Sequence, residues 1–126
     1  MPLYSLADVQ TALVAEFPEL AEDLREDAKL PFMQLGHVAR FMQSAKGRAD
    51  WDTYQRCADF GHRFFVGGNG ELAGAISVAW LEHLDFAGDR GSEAWRRLSP
   101  ELQRGWTSIT ESNARHAALP HKKRRR

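Results

Sequence analysis

Five histidines, one cysteine and 17 Asp+Glu are the groups of this 126-residue chain that could do acid–base, nucleophilic or metal chemistry. The histidines are His37, His62, His83, His116 and His121, and no HExxH or HxxxH pair occurs among them. A zinc site therefore has no ligand spacing to start from. Cys57 and His62 are five residues apart, which on a helix sets them about 140° apart around the axis, so they form no thiolate–imidazole pair. Glu82 and His83 are adjacent and diverge in the same way. An enzyme would need His37, His62 or His83 to converge in one pocket. Gly67-Gly68-Asn69-Gly70 opens a helix, and free amides at a helix start can cradle a phosphate. No strand precedes it, no Lys-Ser/Thr follows, and Glu71 would repel the anion, so an interhelical turn is the better reading. These residues imply no enzyme, no cofactor and no metal site.

The remaining chemistry is charge. Formal net charge is zero, but it is unevenly distributed. Residues 1–30 carry −5, residues 31–66 carry +2, residues 67–121 carry −2, and Lys122 to Arg126 carry +5. A folded body at −5 is thus cancelled by a basic tail. Glu19, Glu22, Asp23, Glu26 and Asp27 crowd one short segment, and Asp85, Asp89 and Glu93 form a second acidic group. A solvated helix face is the plain reading of such a run. The functional reading is a docking face that steers a basic partner. The tail has no aromatic residue for base stacking, so a weak electrostatic contact with nucleic acid is the most it offers.

The elements that must position these groups read as helix after helix. Ser5 with Asp8 is close to a capping box ahead of Leu6, Val9, Leu13 and Phe17. Pro18 ends that helix or opens the next at its first turn, and 19–28 forms a second with Leu20, Leu24 and Ala28 on one stripe. Pro31 opens a third, with Phe32, Leu35, Ala39 and Met42 in one row and Val38, Phe41 and Ala45 beside it. Lys46-Gly47-Arg48 stops it. Asp50 caps a fourth helix that shows Trp51, Tyr54, Ala58 and Phe65, flanked by Cys57, Phe60 and Phe64. The segment 71–84 is apolar on nearly every side, which predicts the central helix of the domain. A short helical turn near 93–98 and a last helix opened by Ser99-Pro100-Glu101, with Leu102, Trp106 and Ile109 inward, complete the pattern.

This predicts an all-α fold: a compact bundle of five to six helices around a central apolar helix at 71–84. Residues 1–118 form one helical domain and 119–126 a disordered basic tail. Hydrophobic residues at 43% and charged residues at 27% agree with a globular domain. A single cysteine excludes an internal disulfide and a Cys-based zinc cluster, and Cys57 reads as a small core residue. The start of the chain has no signal-peptide pattern, and the apolar stretch 72–84 is short of the roughly 20 residues of a membrane span, so a cytoplasmic protein is expected.

Several segments resemble a known family. They are Phe17-Pro18-Glu19-Leu20, Leu30-Pro31 with Met33, and the Gly-Asn-Gly-Glu-Leu turn. They continue with Ala75-Ile76-Ser77-Val78-Ala79-Trp80-Leu81-Glu82-His83-Leu84-Asp85-Phe86 and with Leu98-Ser99-Pro100-Glu101-Leu102. Over about residues 10–106 the chain resembles small all-helical bacterial immunity-type proteins encoded beside secreted polymorphic toxins. The resemblance implies a cytoplasmic inhibitor that binds a cognate toxin domain and occludes or locks its active site. The acidic groups above are then the expected contacts, facing a basic cleft. The alternative is a helical nucleic-acid-associated module that works through the basic tail.

Overall fold

The computed structural model describes residues 3–118. It contains α1 (Leu6–Glu16), α2 (Ala21–Glu26), α3 (Pro31–Gly47), α4 (Trp51–Gly67), α5 (Gly70–Ala79), α6 (Gly91–Arg96) and α7 (Pro100–Ala118). Two 3-10 turns, Pro18–Leu20 and Leu81–His83, lie between them. The all-α fold stands, with seven helices where five to six were expected. The predicted tail, 119–126, lies outside the described residues.

Local chemistry accounts for the helix starts. Ser5 Oγ accepts from Asp8 N while Asp8 Oδ2 accepts from Ser5 N, a complete capping box on α1. Asp50 caps α4 by accepting from Thr53 N, and Asn69 caps α5 by accepting from Leu72 N. Proline occupies the first turn of α3, and Ser99 Oγ accepts from Leu102 N at the start of α7. Tyr4 pairs with the glycine turn before α5: its N donates to Gly67 O and its carbonyl accepts from Asn69 N. A side chain at Gly68 would fall 2.4 Å from Phe64 O, so this turn requires glycine.

Helices α3, α4 and α5 pack on one another, α1 and α2 lie along α3, and α7 covers α4 and the turn after α5. Their inward faces supply Leu35, Val38, Met42, Tyr54, Phe60, Phe64, Leu72, Ile76 and Leu81, all nearly or fully buried. Burying each large side chain contributes about 1.5–3 kcal/mol. Buried Gln34 joins three helices: its Nε2 donates to Leu24 O and its Oε1 accepts from Gln10 Nε2, which also donates to Ala28 O. Tyr54 Oη donates to Ala94 O and fastens α6 to α4. Phe86, Trp95 and Trp106 pack edge to face, and Trp106 Nε1 donates to Leu84 O, holding the 84–90 loop against α7.

The apolar segment 71–84 is not one helix. It stops at Ala79, and Trp80 turns inward with only 1% of its surface exposed. No local signal breaks a helix at Trp80; tertiary packing does. A Cβ at Gly61 of α4 would lie 2.1 Å from the Trp80 ring, so the indole occupies the space a side chain would need. Nor is α5 enclosed on every side: Val78 and Gly74 face outward.

A seam of charge over aromatic rings joins α4 to α1 and the turn after it. Arg63 forms a two-pronged pair with Glu16, at 2.6 and 2.7 Å, and lies over Phe60 and Phe64. Arg56 lies over Phe17, pairs with Glu19 at 2.7 Å, and donates to Glu16 O. The hydrogen bond from Arg63 is the chief cause that holds the Glu16 carboxyl below its ordinary value; burial opposes it, and the Arg63 and Arg56 charges add to it.

Two predictions follow from packing and one from this seam. Gly61→Ala forces the Trp80 ring to move and should cost about 1–3 kcal/mol, lowering the urea midpoint at unchanged slope. Gly36→Ala meets only the Arg40 guanidinium, at 3.5 Å, and should stabilise α3 by up to about 1 kcal/mol in the same measurement. The Glu16 carboxylate is favoured by folding. Its contribution is therefore present above the ordinary value of 4.5 and is lost as pH falls through the lowered folded value. Both partners are more than a third exposed. Glu16→Gln should then cost only about 0.5–1 kcal/mol at neutral pH, and the gap from the parent should close in acid denaturation.

Candidate functional site

The eight predicted contact carboxylates fall into two classes. Glu19 is tied to Arg56, whose hydrogen bond is the main cause of its lowered pKa. Glu93 pairs with Arg96 and, at 2.7 Å, with Arg97; the Arg96 hydrogen bond leads the causes that lower its pKa. Asp27 pairs with His37 at 2.6 Å. Asp85 Oδ1 accepts from Ala87 N within the loop. Among the described residues, Glu22, Asp23, Glu26 and Asp89 are exposed and take part in no ion pair within the chain. Three of these four lie together on α2. Within the first acidic group Glu22, Asp23 and Glu26 have no ion pair among the described residues, whereas Glu19 and Asp27 are bonded to Arg56 and His37. Asp89 is the one carboxylate of the second group left without a structural bond.

The histidines do not converge on one pocket. His62 Nδ1 lies 2.8 Å from Ser99 Oγ and 4.0 Å from Glu101, at the start of α7. Ser99 Oγ already caps that helix, so this contact serves the cap. His37 lies on α3 between Asp27 and Arg40, with Arg40 Nη2 2.7 Å from its Nδ1. A guanidinium only donates, so Nδ1 accepts and Nε2 carries the proton it gives to Asp27. Both ring nitrogens are engaged, and the chain Asp27–His37–Arg40 fixes the guanidinium in place. Cys57 is fully buried, and burial pushes its thiol up to about 12, so it is a core residue, as expected. Among the described residues no group of three His, Cys, Asp or Glu could hold a metal ion. No helix among them is long and apolar enough to cross a membrane. The basic residues Lys122 to Arg126 lie outside the described residues.

Arg40 leads to the site that sequence reasoning missed. Gly36, Ala39, Arg40 and Gln43 of α3 and His83 of the following turn line a groove of about 390 Å³. It continues past Gly36, Arg40 and His83 into a cavity of about 230 Å³ walled by Phe32, Met33, Val78 and Ala79. Phe32 (48%), Met33 (50%) and Val78 (54%) are large apolar residues half exposed on this groove, and Leu30 (52%) precedes them in the chain. The helical row that placed Phe32 with Leu35 and Ala39 in the core is corrected here: α3 begins before the core does, and its first turn overhangs. Pairing of Phe32 with Met33, about 100° apart on a helix, was the available signal that one of them faces outward. Gln43 Oε1 is buried with no hydrogen-bond partner among the described residues. The C-terminal end of α2 reaches the rim of this groove through Asp27, which holds His37, which in turn contacts Arg40.

A family model described as a domain of unknown function (DUF7674) matches residues 11–113. No curated protein matches the chain, and no solved structure does. The matched span takes in α2, both walls of the groove and every buried core residue but Val9, and the chain belongs to this DUF7674 family.

Proposed function

We propose that this chain is an immunity-type protein, which binds a cognate toxin domain and neutralises it by occluding or locking its active site. The observation that carries the reading is the groove on which Phe32, Met33 and Val78 stand half exposed, whose Arg40 rim is joined through His37 to Asp27 at the end of α2, the helix that carries the unpaired carboxylates Glu22, Asp23 and Glu26. An apolar, aromatic and Met-containing centre with a charged rim has the anatomy of a protein interface. Exposed apolar side chains gathered on one groove mark an interaction site more than scattered ones do. Carboxylates free of internal partners can steer a basic cleft toward the groove. The resemblance to immunity-type proteins supplies the class of partner, and such an inhibitor acts in the cytoplasm of its own cell.

The test separates the two halves of the face. With the cognate toxin domain proposed here, Glu22→Lys with Glu26→Lys should slow association at least tenfold at low salt, and added salt should shrink the difference. Phe32→Ala should leave association nearly unchanged and speed dissociation about 10–100-fold. Phe32 is half exposed, so the variant keeps its fold. Unchanged kinetics for both variants would contradict this placement of the interface.

A further inference from the structure

The α3–α5 groove carries more information than an apolar docking face, because three polar groups converge on it. Arg40 is oriented from behind by His37, itself held by Asp27, at 2.7 and 2.6 Å. That contact uses one edge of the guanidinium through Nη2. Nη1 lies on the side of Gly36, where the absent side chain leaves room: a Cβ there would come within 3.5 Å of it. His83 is exposed on the opposite wall, with no hydrogen bond to its ring among the described residues, and every protonation state of an imidazole offers an N–H donor. Gln43 Oε1 is buried at the same groove without a donor. Leaving a buried acceptor unpaired is costly, and native proteins keep few such atoms. Past these groups the groove becomes apolar, between Phe32, Met33 and Val78.

We infer that this groove captures the C-terminal residue of a partner protein, with a free carboxylate and an apolar side chain. The chemistry matches group for group. A carboxylate takes the N–H donors of Arg40 and His83. Rotation of the Gln43 amide about its last side-chain bond brings this oxygen to the groove, where the amide N–H of the same residue supplies the donor it lacks. An apolar side chain such as leucine fills the cavity of about 230 Å³ beyond. Capture of a terminal carboxylate is a recurrent mode of peptide recognition. The relay from Asp27 through His37 orients the guanidinium before any ligand arrives, so little side-chain ordering remains to oppose binding. This deepens the docking reading, on which it rests for the partner being a protein. The chemistry of the groove is tested without the toxin, so the two can fail separately.

The experiment is an NMR titration of the full chain with three probes: N-acetyl-leucine, N-acetyl-leucinamide and a tetrapeptide ending in leucine with a free carboxylate. The expected result is saturable binding of N-acetyl-leucine in the millimolar range, with shifts centred on Gly36, Arg40, Gln43 and His83. The tetrapeptide should bind at least as tightly, and the amide at least tenfold more weakly. Arg40→Gln should reduce affinity about tenfold. Gln43→Leu should also weaken binding without lowering the thermal midpoint, because it replaces the orphaned acceptor with an apolar group of similar size. Gly36→Leu should fill the groove and abolish binding. The inference is overturned if acid and amide bind alike, or if the shifts fall elsewhere. It is overturned equally if the tetrapeptide fails where N-acetyl-leucine binds, if no probe saturates, or if Arg40→Gln and Gln43→Leu bind as the parent does.

Discussion

Contact between Trp80 and Gly61 is the constraint on which the rest of the structure depends. The largest side chain in the core sits where α4 has no side chain at all. To reach that space the backbone must leave the helix after Ala79 and re-form as a single 3-10 turn at Leu81–His83. Three consequences follow. Leu81 and Leu84 point into the core and receive α7, with Leu81 in contact at Gly105. His83 is carried to the edge of α3, where it faces Arg40 across the groove. Val78, on the turn before the break, stays outside. A continuous helix over the same residues would have rotated His83 by a different amount and left the groove without its second wall.

The second organising fact is a division of labour among charges. The chain carries equal numbers of acidic and basic residues, and six of the ten arginines among the described residues bond its own carboxylates or carbonyls. Arg56, Arg63 and Arg97 each lie over an aromatic ring while pairing with a carboxylate, so they serve packing as much as charge. Carboxylates drawn into such pairs are not free to meet a partner. Among the described residues, the carboxylates of 1–30 left without an internal bond are fewer than the −5 suggests: Glu22, Asp23 and Glu26 on α2.

Much of the fold was legible because it is written locally. Ser5 with Asp8, Asp50, Asn69 and Ser99 are caps whose hydrogen bonds span three residues, and each does in the structure what its type and position imply. The glycine turn and the proline starts were legible for the same reason. Long-range geometry was not. Glu16 and Arg63 are 47 residues apart, Tyr54 and Ala94 are 40 apart, and nothing in the neighbourhood of either announces its partner. Periodicity showed which side chains share a face of α3 and α5, but not where that face loses its cover. Phe32 shares the row of Leu35 and Val78 the apolar segment 71–84, yet both stand half exposed. The groove depends on that missing cover, on the break at Trp80 and on the absence of a side chain at Gly36, and none of these is a motif.

The central claim is that the flank made by α2, the first half of α3 and the outer side of α5 is where this protein meets its partner. Hydrogen-exchange footprinting of the chain alone and with the toxin domain proposed as its partner tests it most directly. The account predicts slowed exchange in residues 22–40 and 76–84 on binding, with α6 and α7 unchanged. Protection confined to α6, α7 or the 84–90 loop, with the α3–α5 groove exchanging as in the free protein, would contradict it.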